Sequence, residues 1–207
     1  MWDSVRSAIR SVFYDKESAL VQATSHYPSS MNFFEMMRFD FVIDEDLKVH
    51  LMEANMSPNL SSAHFKQNRL LYEQVVYNVL SLVGIGRAVH SPSLATRSSD
   101  EDEMQAAVKD VVVFADHCSV NCQGGSKACS KIECQLCLPC LSEDQKSNFL
   151  QAYLEHQRRG RCRRVVPQPI SHDKAHTAAD METLTPENTL MTEWFRGMCL
   201  SDHSFCS

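Results

Sequence analysis

Phe39-Asp40-Phe41-Val42-Ile43-Asp44-Glu45-Asp46-Leu47-Lys48-Val49-His50-Leu51-Met52-Glu53-Ala54-Asn55 reads as a β-hairpin. Phe39, Phe41 and Ile43 alternate with Arg38, Asp40 and Val42, the period of two expected of a strand. Asp44-Glu45-Asp46 makes a charged turn, and Val49, Leu51, Glu53 and Asn55 then alternate with His50, Met52 and Ala54. An even-numbered loop, Glu45-Asp46 or Asp44 to Leu47, pairs Val42 with Val49 and Asp40 with Leu51. That register puts Asp40, Glu53 and Asn55 on one face, the two acids as diagonal neighbours. Two carboxylates and an amide oxygen on rigid strands form a hard-oxygen set suited to Mg²⁺. They also suit a plain surface hairpin whose acids face water. Their position at the ends of apolar strands favours the site.

Working outward, Trp2, Val5, Ile9, Val12 and Phe13 recur at helical spacing, and Ser18 to Tyr27 reads as a second short helix ended by Pro28-Ser29-Ser30. A chain that opens directly on a helix is expected to be a fragment of a longer protein. Ser57-Pro58-Asn59 stops the second strand, since proline lacks a ladder donor. Ser61 or Ser62 is placed to cap a following helix with a Leu71, Val75, Val79, Leu82, Val83 stripe, ended by Gly84 and Gly86. Residues 1–87 thus form an α+β piece, helices packed over a hairpin.

The hairpin residues also resemble a family. Phe-Asp-Phe, an acidic turn, then Leu51-Met52-Glu53-Ala54-Asn55-Met56-Ser57-Pro58-Asn59-Leu60 is similar to the C-terminal part of the catalytic domain of tubulin-tyrosine-ligase-like enzymes, the polyglutamylases in particular. The resemblance rests on Asp40, Glu53 thirteen positions later, Asn55, and Ser57-Pro58. It implies an ATP-grasp ligase that adds amino acids, glutamate above all, to tubulin tails. It implies that Asp40, Glu53 and Asn55 bind the magnesium ions bridging the ATP phosphates. It implies tubulin or microtubules, ATP and glutamate as partners, and a cytoplasmic, cytoskeletal location, with an upstream membrane anchor left open. Arg38 departs from the family, which usually has glycine there; the change matters only if the backbone needs positive φ. Glycylation or tyrosination are alternatives within the family. A fragment of this kind is expected to be inactive alone, because the residues holding the adenine side lie upstream in the family and no Gly-rich phosphate loop is present.

Residues 88–105 form a polar, acidic linker, and residues 106–165 a Cys-rich module with a helix. Cys118, Cys122, Cys129, Cys134, Cys137 and Cys140 are either Zn²⁺ ligands, three disulfides, or in part free thiols. A zinc-binding interaction module without catalysis is therefore the alternative function. Val111-Val112-Val113 reads as a strand or a helix end. Ser142-Glu143-Asp144-Gln145 is a capping box that starts a helix with Phe149, Leu150, Tyr153 and Leu154 on one face. Arg158-Arg159-Gly160-Arg161-Cys162-Arg163-Arg164 is the most basic stretch. It is a solvated connector, a nuclear signal, a proteolytic site or a grip for glutamate-rich tails.

Residues 166–184 read as a disordered linker. Residues 185–207 read as a helix capped by Thr185-Pro186, whose Leu190, Met191, Trp194, Phe195, Met198 stripe is expected to dock on the catalytic piece. Cys199 and Cys206 can pair with each other or with Cys162. The fold class is α+β: a C-terminal ATP-grasp fragment, then a mostly helical Cys-rich extension. A net charge of −6 argues against nucleic acid as a partner, and no apolar run reaches membrane-spanning length. Asn59-Leu60-Ser61 fits a glycosylation acceptor, which has meaning only in a secreted protein.

Overall fold

A computed structural model describes residues 1–27, 33–85, 106–123, 125–177 and 184–206. Contacts divide the chain into two units: Met1–His90 with Arg159–Val166, and Ser91–Arg158 with Pro167–Ser207. The architecture is α+β, with one two-stranded sheet among the described residues.

In the first unit, α1 (Trp2–Thr24) is one helix where two are expected. Asp15-Lys16-Glu17-Ser18 is polar, but it contains neither proline nor glycine to interrupt the hydrogen-bond ladder. Pro28-Ser29-Ser30 lies outside the described residues. Strands β1 (Met37–Ile43) and β2 (Val49–Met56) form the antiparallel hairpin. Phe39, on the face opposite Asp40, meets Phe13 of α1 with ring centroids 6.2 Å apart.

The hairpin register corrects the expected one. Ile43 pairs with Val49, Val42 with His50 and Phe41 with Leu51, leaving a five-residue loop 44–48. The Asp44 carboxylate oxygen Oδ1 accepts from the Asp46 and Lys48 amides at 3.1 and 2.8 Å. Leu47 takes φ 62°, completing a turn that contains no glycine. An odd loop alone would pair Asp40 with Met52. The register shifts there, so Asp40 pairs with Glu53 and Met52 is the extra residue of a β-bulge.

Helix α2 (Arg69–Leu82) follows a 3-10 turn at Lys66–Asn68. Neither Ser61 nor Ser62 caps it; Ser61 Oγ instead accepts from the Ala63 amide at 3.3 Å. Gly84, φ 79°, takes the left-handed conformation just past the helix end, as its position predicts. The stripe is less buried than expected, and Leu71 is exposed.

In the second unit, a 3-10 helix at Val108–Val111 leads into extended backbone at Val112, so Val111-Val112-Val113 begins as a helix end and continues as unpaired extended chain. Short helices α3 (Ala115–Asn121) and α4 (Ile132–Gln135) follow. Helix α5 (Glu143–Arg158) begins at the predicted box: the Ser142 amide donates to Gln145 Oε1 at 2.9 Å, and the Gln145 amide donates to Ser142 Oγ at 3.2 Å. Helix α6 (Pro186–Ser201) begins at Thr185, whose hydroxyl accepts from the Asn188 amide at 3.4 Å.

The α6 stripe, expected to dock on the first part of the chain, lies in the core of its own unit. Trp194 is fully buried, stacks on Phe149 at 5.3 Å and donates from Nε1 to the Val111 carbonyl at 2.8 Å. A Cβ on Gly197 would lie 2.6 Å from Val113 Cβ, so only glycine lets α6 approach that segment. Buried Arg196 pairs with Glu193, donates to the Ala175 carbonyl at 2.9 Å and stacks over Phe114. The stretch expected as a linker carries a 3-10 turn at His172–His176 with Ala175 fully buried; residues 178–183 lie outside the described set.

Candidate functional site

The bulge at Met52 decides which face β2 shows. Without it, Glu53 and Asn55 would continue the Leu51 face, opposite Asp40. With it, Asp40 faces Glu53 and Arg38 faces Asn55, so all four side chains share one face. Two acids directly opposite repel and need a shared donor or cation. Asn55 Nδ2 supplies the donor, reaching Asp40 Oδ2 at 3.1 Å and Glu53 Oε1 at 3.0 Å.

Arg38 supplies a cation. Its Nε and Nη2 close on the two Asp40 oxygens at 2.8 and 2.9 Å. The Arg38 fork, then the neighbouring donors, hold the Asp40 carboxyl below its ordinary value near 3.8. The pair is solvent-accessible, with 50% and 38% of the two side chains exposed. Arg38 has ordinary backbone, because the described non-glycine residues with positive φ are Leu47, Ser57 and Phe114. Its effect is therefore through its side chain, which the sequence reading did not assign.

The donor set fits a hard cation. Two carboxylates converge on one point, and turning the Asn55 amide over would present its oxygen to that point. Arg38 must release at least one Asp40 oxygen for an ion to bind there.

Arg159–Val166 is part of this same unit. Arg10 Nε donates to the Val165 carbonyl at 3.1 Å, fixing the segment beside α1. Arg161 and Arg163 are exposed. Arg164 is pushed down to about 10 by burial and by the nearby Arg159 charge.

The six clustered cysteines are joined as Cys118–Cys137, Cys122–Cys134 and Cys129–Cys140. Cys199 pairs with Cys206, and Cys162 is free. Among the described residues, one group of three His, Cys, Asp or Glu side chains lies close enough to hold a metal: His117, Cys122 and Cys134, with ligand atoms within 4.8 Å of one another. His117 was not singled out from the sequence, since it stands outside the cysteine spacing. Two of these three ligands are bonded to each other, so the group can take a soft metal only after that disulfide is reduced. No described helix is long and apolar enough to cross a membrane.

The tubulin-tyrosine ligase family model matches residues 1–96. Over 210 residues the chain is 33% identical to a Caenorhabditis elegans protein named "Probable tubulin polyglutamylase ttll-15". That alignment covers 100% of this chain and 38% of the relative, so the chain spans well under half of its length. No solved structure matches.

Proposed function

Because residues 1–96 belong to the tubulin-tyrosine ligase family, we propose that the chain carries the magnesium-binding part of an ATP-dependent carboxylate–amine ligase. Asp40, Glu53 and Asn55 would hold Mg²⁺, which when bound neutralises phosphate charge. The observation that carries this reading is the convergence of both carboxylates on one Asn55 amide. A surface hairpin has no need to place a bulge that turns a second acid onto the face of the first.

In this reading the chain forms one wall of an ATP-grasp site, and the transferred amino acid is glutamate. The acceptors are glutamate-rich tails, tubulin's being the ones the family is named for. Arg161 and Arg163 provide exposed positive charge on the same unit to steer such tails toward the hairpin. The hairpin's contribution is electrostatic, and no residue of this chain is assigned as a general base.

The test uses full-length enzyme with ATP, labelled glutamate and tubulin. Asp40→Ala or Glu53→Ala should each lower incorporation roughly 10²-fold or more, with circular dichroism unchanged. Wild-type incorporation in both variants would end the assignment.

A further inference from the structure

Eight of the nine cysteines are joined in four disulfides, and the pairs lie in two separate parts of the second unit. Thiols in the cytosol are held reduced, whereas lumenal and secreted chains use such frameworks to staple small, loop-rich modules. The 118–140 segment fits that description: its α3 and α4 span seven and four residues. Cys134 and Cys137 are nonetheless fully buried. A compartment that oxidises thiols is also where asparagine acquires sugar, and the chain contains two acceptor triplets, Asn55-Met56-Ser57 and Asn59-Leu60-Ser61.

The structure separates them. Asn55 lies within β2, is half-buried, and spends its Nδ2 on Asp40 and Glu53; its Ser57 is followed by Pro58. Asn59 lies beyond the strand end at Met56, in irregular backbone, and is exposed, as is Ser61. Its Oδ1 accepts the Ser61 amide at 2.8 Å, an Asx turn that folds the triplet into a loop. That turn engages the amide oxygen and not the nitrogen that would be modified.

We infer that this chain matures in an oxidising compartment and is N-glycosylated at Asn59. Each cysteine pair gives two electrons and two protons to the disulfide of an exchange catalyst, which leaves as a dithiol. At Asn59 an N–C bond forms between Nδ2 and the anomeric carbon of a lipid-diphosphate-linked oligosaccharide. The anomeric carbon–oxygen bond breaks, the lipid diphosphate leaves, and Nδ2 loses one proton to a base of the transferase. The inference goes beyond the ligase reading and constrains its acceptor. The hairpin's chemistry is the same on either side of a membrane, but a lumenal enzyme meets glutamate-rich tails of secretory polypeptides and not cytosolic tubulin.

The experiment takes full-length protein from its own cells, alkylates it under denaturing, non-reducing conditions, and treats it with a peptide N-glycosidase. Among the nine cysteines of this chain, one alkylated thiol, Cys162, is expected, together with a mobility shift and conversion of Asn59 to aspartate. Asn59→Gln and Ser61→Ala should each shrink the shift by one glycan, while Ser61→Thr and Asn55→Gln keep it whole. Alkylation of all nine, with or without bound zinc, overturns the compartment. Paired cysteines with Asn59 unconverted, or a shift unchanged by Asn59→Gln, overturn the acceptor. Loss of ligase activity in Asp40→Ala changes none of these readouts, so the two readings fail separately.

Discussion

Arg38 holds both oxygens of Asp40 in a planar fork, and this one side chain offsets the Asp40 charge in the candidate site. Depression of a carboxyl pKa by a cation means that the charged form is favoured in the folded chain. Its stabilising contribution is full above the ordinary carboxyl pKa near 3.8 and is lost as the pH falls through the lowered value. Replacing Arg38 with glycine, the residue usual in the family, removes the fork; because Arg38 has negative φ the change relieves no strain, and glycine inside β1 costs roughly 0.5–1 kcal/mol of backbone entropy. We expect the Asp40 titration midpoint, followed by carboxyl NMR, to return toward 3.8. We also expect Mg²⁺ affinity to rise roughly two- to five-fold, the range of an exposed ion pair given up. Unchanged or weaker Mg²⁺ binding in Arg38→Gly would mean that the guanidinium does not compete with the ion. The acids themselves were legible in the sequence as alternating positions. The fork was not, since nothing in Arg38-Phe39-Asp40 shows which way a long side chain turns.

At the scale of elements, the hairpin was legible and its register was not. Alternation fixes which residues share a face only while the period holds, and one inserted residue reverses it. The reading placed the acids together by an even loop; the structure places them together by an odd loop and a bulge. Both features depend on side-chain and backbone detail, namely the Asp44 carboxylate gathering two amides and the left-handed Leu47. Deletion of Met52 tests the bulge. The shortened strand places Glu53 directly after Leu51, so regular alternation alone should keep Glu53 opposite Asp40 and Asn55 opposite Arg38. Mg²⁺ binding should then stay near the wild-type level, with the hairpin amide resonances still protected from exchange. A fall in Mg²⁺ affinity to the level of Asp40→Ala would show that the bulge shapes the site beyond setting its register. The capping box of α5 and the Thr185 cap of α6 were readable because each is local, a side chain reaching three residues along its own chain. The merging of two expected helices into α1 was not readable, because polar residues on an exposed helix face resemble a break.

For the whole molecule, the two units differ in how they are held. Among the described residues, every fully buried hydrophobic side chain lies in the second unit. The first unit leaves Leu70, Tyr77, Met52 and Met56 at least 64% exposed. Burial of apolar area is the main source of stability, and a disulfide that closes a short loop adds about 2–4 kcal/mol. Native-state hydrogen exchange should therefore find its slowest amides in α5 and α6 and faster exchange in α1 and α2. Reductant should collapse that difference. Slow exchange in α2 that resists reductant would contradict this division. The α6 stripe was legible from periodicity, but its destination was not, because a helical stripe predicts burial without naming what covers it. The disulfide pairing was equally beyond the sequence, since six cysteines allow fifteen connectivities.

The bond from Trp194 to the Val111 carbonyl joins residues 83 positions apart, whereas the disulfides close separations of 19, 12, 11 and 7 residues. Formation of the second unit is consequently a race between near and far. The cysteines of 118–140 can meet while Trp194 is still being synthesised, and the core that would select correct pairs forms only after the whole intervening segment exists. Mispaired sulfurs are thus the expected product of haste, and the yield of native protein should depend on how quickly wrong bridges are exchanged, not on how quickly they are made.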